Sequence, residues 1–425
     1  MADEVMGSEG LPLGFKWGAV RAGIKASGNL DLAAAVVAGG GRAAASYTRN
    51  QVVAAPVTVG RRHLLATGGR VSAVLVNAGN ANCATGEAGV EACRATCVAA
   101  AESLGCIFDE VFPCSTGIIG VPLPVEKIVG ALPELKASMG DTPSHAAAFA
   151  TAILTTDKVM KVARAVVDVD GVEVRIFGTA KGAGMIAPMM GVPVGAAAGG
   201  PAGPSHGAGP GHATMLVYLF TDLQAETEEL RALLGPAVER SFNNISIDGD
   251  TSTNDTVLLV ASGASGVKVD ERVREAFGNA LGLVCGSLAH QIVADGEGVT
   301  HVVTLHVTGA ATEAEARQVA RTIANSPLCK TAWSSGDPNW GRLLAAAGRS
   351  GVVIEPGKMR IEIGGVPVFA EGLRAPGYDE AAAHAAMGER EYVIAIELGM
   401  GEAECRFVTC DLTAEYVRIN ADYST

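Results

Sequence analysis

Apolar positions along the chain form short runs, and these runs alternate with amphipathic stretches rich in alanine. Val71–Asn77 is an apolar run typical of a buried strand, and Glu87–Leu104 has helical spacing and ends at Gly105. Further strands are predicted over 172–177, 215–220, 256–261, 302–307, 392–398, 406–412 and 416–419, with short strands near Val352 and Val366. Further helices are predicted over 226–238 and 313–323. Because the element types mix without a regular repeat, the pattern predicts a mixed α/β fold.

Length and charge narrow the class of protein. The 425 residues, 48% of them hydrophobic, suffice for about two or three domains with buried cores. The strand and helix pattern restarts after about Leu283. The 32 Lys and Arg residues stand against 45 Asp and Glu, and this net charge of -13 disfavours nucleic acid as a partner because a phosphate backbone needs a basic surface.

One stretch of 40 residues, Gly182–Thr221, contains no Asp, Glu, Lys or Arg. Gly and Pro interrupt its apolar residues, so it cannot span a membrane as a helix of ~20 residues. Within it, residues 191–212 contain eight Gly, five Ala and four Pro, a composition typical of a loop. The sequence therefore predicts no membrane partner and a long insertion without packed structure.

Nine cysteines without a CxxC pair argue against both a zinc site and a disulfide scaffold. They predict reduced, buried thiols in a soluble intracellular protein, with no bound metal. The first residues, MADEVMGSEG, match neither a secretory signal nor a basic transit peptide. We expect the cytoplasm for a bacterial source, and a chloroplast or mitochondrial matrix for a eukaryotic one.

Several short motifs are ambiguous when taken singly. Gly182–Ala187 matches a dinucleotide fingerprint, but Pro188 and the following glycines prevent the helix that the fingerprint requires. Asp248–Asp255 is rich in oxygen ligands but lacks the Gly and Glu positions of a calcium loop, which favours a hydrogen-bonded turn. Cys114–Gly117 could be a simple turn. No histidine carries the flanking signature of a Ser-His-Asp triad.

Read in order, these motifs resemble the ornithine acetyltransferases, which are the glutamate N-acetyltransferases of the cyclic arginine pathway. The resemblance extends from Gly14 to the last residue. The segments that carry it are NAGNANCATGE (77–87), STGIIG (115–120), ILTTD (153–157), KGAGMIAPM (181–189), ATML (213–216), SFNNISIDGDTSTNDT (241–256), DGEG (295–298), KTAWSSGDPNWGR (330–342) and INADYST (419–425).

The resemblance implies a fold and a maturation step. The fold is a layered αββα self-cleaving core over 1–283, similar to N-terminal nucleophile hydrolases, followed by a smaller α/β domain over 284–425. The precursor would cut itself between Ala213 and Thr214, and the chains 1–213 and 214–425 would pair as a heterotetramer of two α and two β chains. An N-terminal threonine suits acyl transfer because its own α-amine can accept the hydroxyl proton.

The resemblance also implies site residues. Thr214 is the nucleophile, and Thr116 with Gly117 stabilises the oxyanion, where one donor is typically worth ~3 kcal/mol. Lys181 is the cation for the substrate carboxylate, and Glu297 meets the ammonium of ornithine. The remaining substrate-binding positions are Thr155 or Thr156, Asn420 and Thr425.

The implied reaction is ping-pong transfer of acetyl from N-acetylornithine to glutamate through acetylated Thr214. No metal or organic cofactor is implied, and acceptance of acetyl-CoA as a second acetyl donor stays open. Two other functions stay open: a self-cleaving amidase or aminopeptidase of related fold, and an uncleaved non-catalytic precursor.

The chain departs from the family pattern in two places. Met189 stands where Asn is usual, and residues 191–212 separate Met190 from Ala213. The insertion could project into solvent, block processing, or be an artefact such as an unspliced intron. Loop closure over this length costs little, but a slack segment upstream could fail to hold a strained peptide bond.

Overall fold

The computed structural model describes residues 10–191 and 214–422, and these residues form a mixed α/β protein, as the sequence predicts. Described residues 10–191, 214–243 and 251–292 form one compact unit, and residues 244–250 and 293–422 form another. We refer to them as the first and second units. Residues 192–212 of the insertion and Ala213 lie outside the described residues.

The strands and helices are numbered here in chain order. The strands are β1 (Phe15–Val20), β2 (Leu32–Thr48), β3 (Arg70–Asn80), β4 (Val111–Ile118), β5 (Lys161–Val169), β6 (Val172–Lys181), β7 (Met190–Gly191), β8 (Leu216–Thr221), β9 (Ile245–Ser246), β10 (Thr256–Ala261), β11 (Val302–Ala310), β12 (Arg360–Ile363), β13 (Val366–Ala370), β14 (Leu373–Arg374), β15 (Glu391–Glu397) and β16 (Ala403–Cys410). The helices are α1 (Ala55–Ala66), α2 (Gly86–Leu104), α3 (Val125–Ala137), α4 (Pro143–Ala152), α5 (Thr227–Arg240), α6 (Glu271–Ala294), α7 (Glu313–Ala324), α8 (Pro327–Ser335), α9 (Trp340–Gly348), α10 (Glu380–Met387) and α11 (Ala414–Asp422).

The first unit is built on a sheet with the strand order β4-β3-β2-β10-β8-β6-β5, with β1 and β7 paired to β2. The long strand β2 changes partners along its length. Its first half pairs with β1 and β3, and its second half pairs with β10 and β7. The change falls at Gly39 and Gly40, whose φ angles of 75° and 77° allow the kink and the register shift.

This sheet is buried on both faces. Ala33 and Ala35 of β2 face a core that contains Trp17 and Phe220, whereas the alternate residues face a second core that contains cysteines of α2. Four aromatic rings of the first core, Phe15, Trp17, Phe177 and Phe220, stack or meet edge to face at centroid distances of 5.2 to 6.2 Å. Such double-sided burial fixes the strand register that positions the site residues.

The second unit has its own sheet, in the order β14-β13-β12-β15-β11-β16-β9. Helices α7, α8, α9 and α10 contribute apolar side chains to its core, including Val319, Trp333 and Leu343. Strand β11 pairs parallel to β15 and antiparallel to β16.

Helix α6 is long and apolar enough to cross a membrane by length and composition alone. Most of the positions between its core-facing residues are more exposed. The core-facing residues are buried and recur every three or four positions, at Val273, Phe277, Leu281, Val284, Leu288 and Ile292. This spacing is typical of an amphipathic helix packed on a protein core.

The structure confirms most predicted elements and corrects two. The predicted strand over 416–419 is part of helix α11, because the Thr413 hydroxyl accepts the Tyr416 amide at 3.3 Å and Glu415 pairs with Arg418 one turn on. No strand forms near Val352, which follows the end of α9 in a turn. The nine cysteines are free thiols, eight of them buried and Cys106 half-buried.

Candidate active site

Strands β6 and β8 run antiparallel and bring Lys181 opposite Leu216, two residues after Thr214. Thr214 is buried, and its hydroxyl oxygen lies 3.2 Å from the hydroxyl oxygen of Ser252. The next amide, of Met215, donates a 2.9 Å hydrogen bond to Asp255 Oδ1. Residues 251–255, which we call the 251–255 loop, therefore hold the predicted nucleophile Thr214 in place.

The same loop also holds the end of β4. Asn254 Nδ2 donates to the carbonyl oxygens of Ala81 (2.7 Å) and Ser115 (2.9 Å). Its amide donates to Ser252 Oγ at 3.1 Å. One hydrogen-bonded loop thus connects the segment containing Thr214 with the strand that carries Thr116.

Thr116 and Gly117 lie where β4 pairs in parallel with β3. Gly117 has a φ of 133°, and a Cβ at this position would overlap the backbone of Gly79 and Asn80. The site therefore requires glycine here. The Thr116 hydroxyl accepts a 3.2 Å hydrogen bond from Lys181 Nζ, so two of the predicted site residues are in contact.

Lys181, Lys161 and Asp157 form a cluster of three fully buried charged side chains. Asp157 accepts a 2.6 Å hydrogen bond from Lys161 Nζ, and its other oxygen lies 3.9 Å from Lys181 Nζ. Burial alone would raise the pKa of Asp157, but Lys181, Lys161 and the Gly182 amide outweigh burial and lower this pKa to about 2. Lys161 and Lys181 thus place two ammonium groups next to the Asp157 carboxylate.

The structure distinguishes the two threonines that the sequence left as alternatives. Thr155 Oγ1 accepts a 2.8 Å hydrogen bond from Lys181 Nζ. Thr156 Oγ1 is buried and has no hydrogen-bond partner among residues 10–191 and 214–422. A buried hydroxyl that lacks a protein partner can bind a ligand at little further desolvation cost.

Lys25 is a charged neighbour that sequence reasoning missed. Its Nζ donates to the carbonyl oxygens of Leu30 (2.6 Å) and Ala152 (2.9 Å). Burial, with the nearby charge of Lys181, lowers the pKa of Lys25 to about 8, although Asp31 opposes this shift. No motif of catalytic spacing surrounds Lys25, so only the tertiary fold brings it close to Lys181.

Asp255 was also missed, although it lies within a segment that carries the family resemblance. It is fully buried, and burial raises its pKa to about 7 despite hydrogen bonds from Met215 and Ser252 and the charge of Lys181. Its Oδ2 has no hydrogen-bond partner in the described part of the chain. The signal available from sequence was an acid directly before the apolar strand β10.

Two predicted site residues of the second unit are in contact. Asn420 Nδ2 donates a 3.0 Å hydrogen bond to Glu297 Oε2. The turn that carries Glu297 packs on the start of α11, where the Thr413 hydroxyl donates to the Gly298 carbonyl at 2.7 Å. Thr425 lies outside the described residues.

Enzymes that transfer acyl groups use a hydroxyl nucleophile and oriented oxyanion donors, and Thr214, Thr116 and Gly117 supply groups of these types here. The model of the ArgJ family matches residues 16–425. The arginine biosynthesis bifunctional protein ArgJ of Thermus thermophilus is 47% identical over 416 residues, which cover 98% of this chain and 99% of that protein.

The chain is also similar to two further proteins. The protein of the same name from Pseudomonas syringae pv. tomato is 41% identical over 97% of this chain and 96% of its own. A crystal structure of ArgJ from Bacillus halodurans is 38% identical and aligns with a TM-score of 0.47 over 48% of this chain and 98% of that one. The chain belongs to the ArgJ family, and the acyltransferase class predicted from its sequence is confirmed.

Proposed function

We propose that this protein transfers acetyl from N-acetylornithine to glutamate through an acetyl ester on Thr214. The observation that carries the proposal is the 251–255 loop, which holds the Thr214 hydroxyl through Ser252 and the Thr116 strand through Asn254. Membership of the ArgJ family, whose relatives are named for arginine biosynthesis, supports the substrate pair. The reaction is ping-pong, because one site must release ornithine before glutamate collects the acetyl group.

The nucleophile becomes active when the chain cuts itself between Ala213 and Thr214. The cut releases the α-amine of Thr214, which accepts the hydroxyl proton during acetylation. The products are chains 1–213 and 214–425, which we propose assemble as a heterotetramer of two α and two β chains.

The charged cluster supports the roles of the remaining residues of the first unit. Thr116 and the Gly117 amide stabilise the tetrahedral oxyanion. Lys181, which lies in the buried cluster with Lys161 and Asp157, binds the substrate α-carboxylate. Thr156, whose buried hydroxyl has no partner among the described residues, contacts substrate directly, and Thr155 orients Lys181.

In the second unit, Glu297 binds the side-chain ammonium of ornithine. Asn420 supports this role because its amide donates to the Glu297 carboxylate and orients it. Thr425, the terminal residue, completes the substrate-binding set. The acetyl group travels on the protein, so the reaction requires no cofactor, and acetyl-CoA is a candidate second donor. We place the enzyme among soluble intracellular proteins, because relatives from Thermus and Pseudomonas are bacterial biosynthetic proteins.

A denaturing gel combined with a transfer assay tests the proposal. Wild-type protein should give two fragments and form N-acetylglutamate from N-acetylornithine and glutamate. Thr214→Ala should give one band and no transfer, whereas Thr331→Ala, at an exposed threonine of α8, should behave as wild type. Transfer by Thr214→Ala would refute the nucleophile, and release of acetate without N-acetylglutamate would indicate an amidase instead.

Deletion of residues 191–212 tests the insertion. If it only projects into solvent, cutting and transfer should stay within about twofold of wild type. A strong rise in the cut fraction would show that the insertion obstructs processing.

A further inference from the structure

Before the cut, the nitrogen of Thr214 is a peptide amide and cannot serve as a base. The hydroxyl of Thr214 therefore needs a different proton acceptor for its attack on the preceding carbonyl. We propose that the Asp255 carboxylate, acting through the Ser252 hydroxyl, accepts this proton during self-cleavage. The inference rests on the proposed function and adds the group that starts maturation.

The position of Asp255 is fixed on both sides. Its carbonyl oxygen accepts the Thr48 amide of β2 at 2.9 Å, and its Oδ1 accepts the Met215 amide at 2.9 Å. The side chain is 0% exposed, and Oδ2 has no partner among the described residues. Burying a carboxylate oxygen without a hydrogen-bond donor costs free energy of folding. Such an oxygen is therefore unusual in a protein core unless it has a functional role.

Ser252 connects this carboxylate to the nucleophile. Its oxygen lies 3.2 Å from Thr214 Oγ1 and accepts the Asn254 amide at 3.1 Å. When Ser252 also accepts the Thr214 hydroxyl, its single proton is available to the carboxylate. Ser252 and Asp255 lie three residues apart in the same turn, and the Ser252 hydroxyl and amide both lower the pKa of Asp255.

The proton affinity of Asp255 suits the task. Burial is the largest cause that raises its pKa to about 7, and the amides of Met215 and Ser252 and the charge of Lys181 limit the rise. A base with a pKa near the working pH combines an adequate ionised fraction with adequate basicity. Its charged neighbour is Lys181 of β6, whose own cluster includes Asp157 and Lys161. Met215, just before β8, presents an amide to the carboxylate, and Ser252 of the loop presents an amide and a hydroxyl.

The proposed cleavage begins with two proton transfers. The Thr214 proton passes to Ser252, and the Ser252 proton passes to Asp255, as Thr214 Oγ bonds to the carbonyl carbon of residue 213. The resulting oxyanion collapses and breaks the bond from that carbon to the Thr214 nitrogen, which takes the proton back through the same relay. Water then hydrolyses the ester, which leaves a carboxylate on residue 213 and a free hydroxyl and amine on Thr214.

The test follows self-cleavage in the full chain. Precursors made by cell-free translation are shifted to buffers between pH 5.5 and 9, and the cut fraction is followed by denaturing gel. The wild-type rate should rise with pH and level off above about pH 7, because only the ionised carboxylate accepts a proton. Asp255→Asn keeps an acceptor for the Met215 amide but cannot take a proton, and should cut about 100-fold more slowly with a flat pH profile.

Two more variants separate the relay from folding. Ser252→Ala should also slow cutting about 100-fold, although it leaves Asp255 in place. Asp222→Asn is the matched control, since Asp222 is another fully buried carboxylate that accepts backbone amides, from Leu13 and Arg175. It should keep the wild-type pH midpoint. Circular dichroism melting checks that every variant folds.

A slowed Asp255→Asn that keeps the wild-type midpoint would overturn the inference and leave a purely structural role. Wild-type rates in folded Asp255→Asn or Ser252→Ala would also overturn it, while the proposed function would stand. A wild-type chain that stays whole at every pH would overturn self-cleavage itself, and this inference with it.

Discussion

Replacing Asp157 by Asn removes a buried carboxylate that pairs with both Lys161 and Lys181. Asparagine can still accept the Gly182 amide, which Asp157 accepts at 2.6 Å, so the change removes charge and little shape. Both buried ammonium groups then lose the negative charge of Asp157. Such a loss is more costly than the pair itself is stabilising, because the remaining charges stay desolvated.

The pKa of Asp157 supplies the magnitude. A folded-state pKa of about 2, against an ordinary 3.8, corresponds to about 2.5 kcal/mol of stabilisation. Breaking a buried pair typically costs 3–5 kcal/mol, so we expect a loss of ~2.5 to ~5 kcal/mol. Because the folded-state pKa is lowered, this stabilisation is fully present above about pH 4 and disappears as pH falls through 2.

Urea unfolding monitored by circular dichroism measures the loss, and the Thr214→Ala background keeps the chain in one piece. The matched control is Glu228→Gln, which breaks the exposed pair with Arg231 on α5 and should change stability by less than about 0.5 kcal/mol. A loss below about 1 kcal/mol for Asp157→Asn at pH 7 would refute the reasoning. A loss that is the same at pH 2 and pH 7 would also refute it.

Three further predictions concern single residues. Gly117→Ala should lower kcat by about 100-fold or more in the transfer assay, because its Cβ overlaps the backbone of Gly79 and Asn80; near-normal kcat would exclude the Gly117 amide from the oxyanion site. Glu297→Gln should keep the hydrogen bond to Asn420. It should raise KM for N-acetylornithine about tenfold and leave KM for glutamate nearly unchanged. Equal changes in the two KM values would argue against recognition of the ammonium group by Glu297. Asp255→Asn should melt at a higher temperature than wild type at pH 8, with a smaller gain in melting temperature at pH 5. The reason is that the raised folded-state pKa of Asp255 makes its ionised carboxylate destabilising above about pH 4. An equal gain in melting temperature at both pH values would contradict this.

The sequence predicts elements well where apolar periodicity is strong. Thr256–Ala261 is a strand with the predicted bounds, and α2 ends at Gly105, whose φ of 79° caps the helix. Strand β2 was not predicted, because alanine and glycine dominate it and neither favours strands. It forms because small side chains fit between two cores, a fact of tertiary packing. Tyr416–Ile419 was predicted as a strand because its side chains favour strands, but it forms part of helix α11. The cap at Thr413 fixes the start of that helix.

The structure brings together several residues that the motifs predicted, whereas neighbours positioned only by packing were not predicted. The contacts of Lys181 with Thr116 and Thr155 join three predicted residues from distant segments. Lys25 was missed because its proximity to Lys181 depends on the fold. Asp255 was missed because a lone acid in a polar turn is usually a cap, and only burial without a donor for Oδ2 distinguishes it.

The described flanks of the insertion bear on whether the chain can cut itself. Upstream, Met190 pairs with Thr48 of β2 and exchanges two hydrogen bonds with the Asn243 side chain, at 2.9 and 3.2 Å. Downstream, Asp255 holds the Met215 amide and Ser252 meets the Thr214 hydroxyl. Each flank is anchored by contacts that do not involve the insertion. Since closing a longer loop costs only a logarithmic increment, the alignment of the nucleophile depends on the 251–255 loop and not on the length of the segment before Thr214. Processing should therefore be far more sensitive to Ser252 and Asp255 than to shortening the insertion.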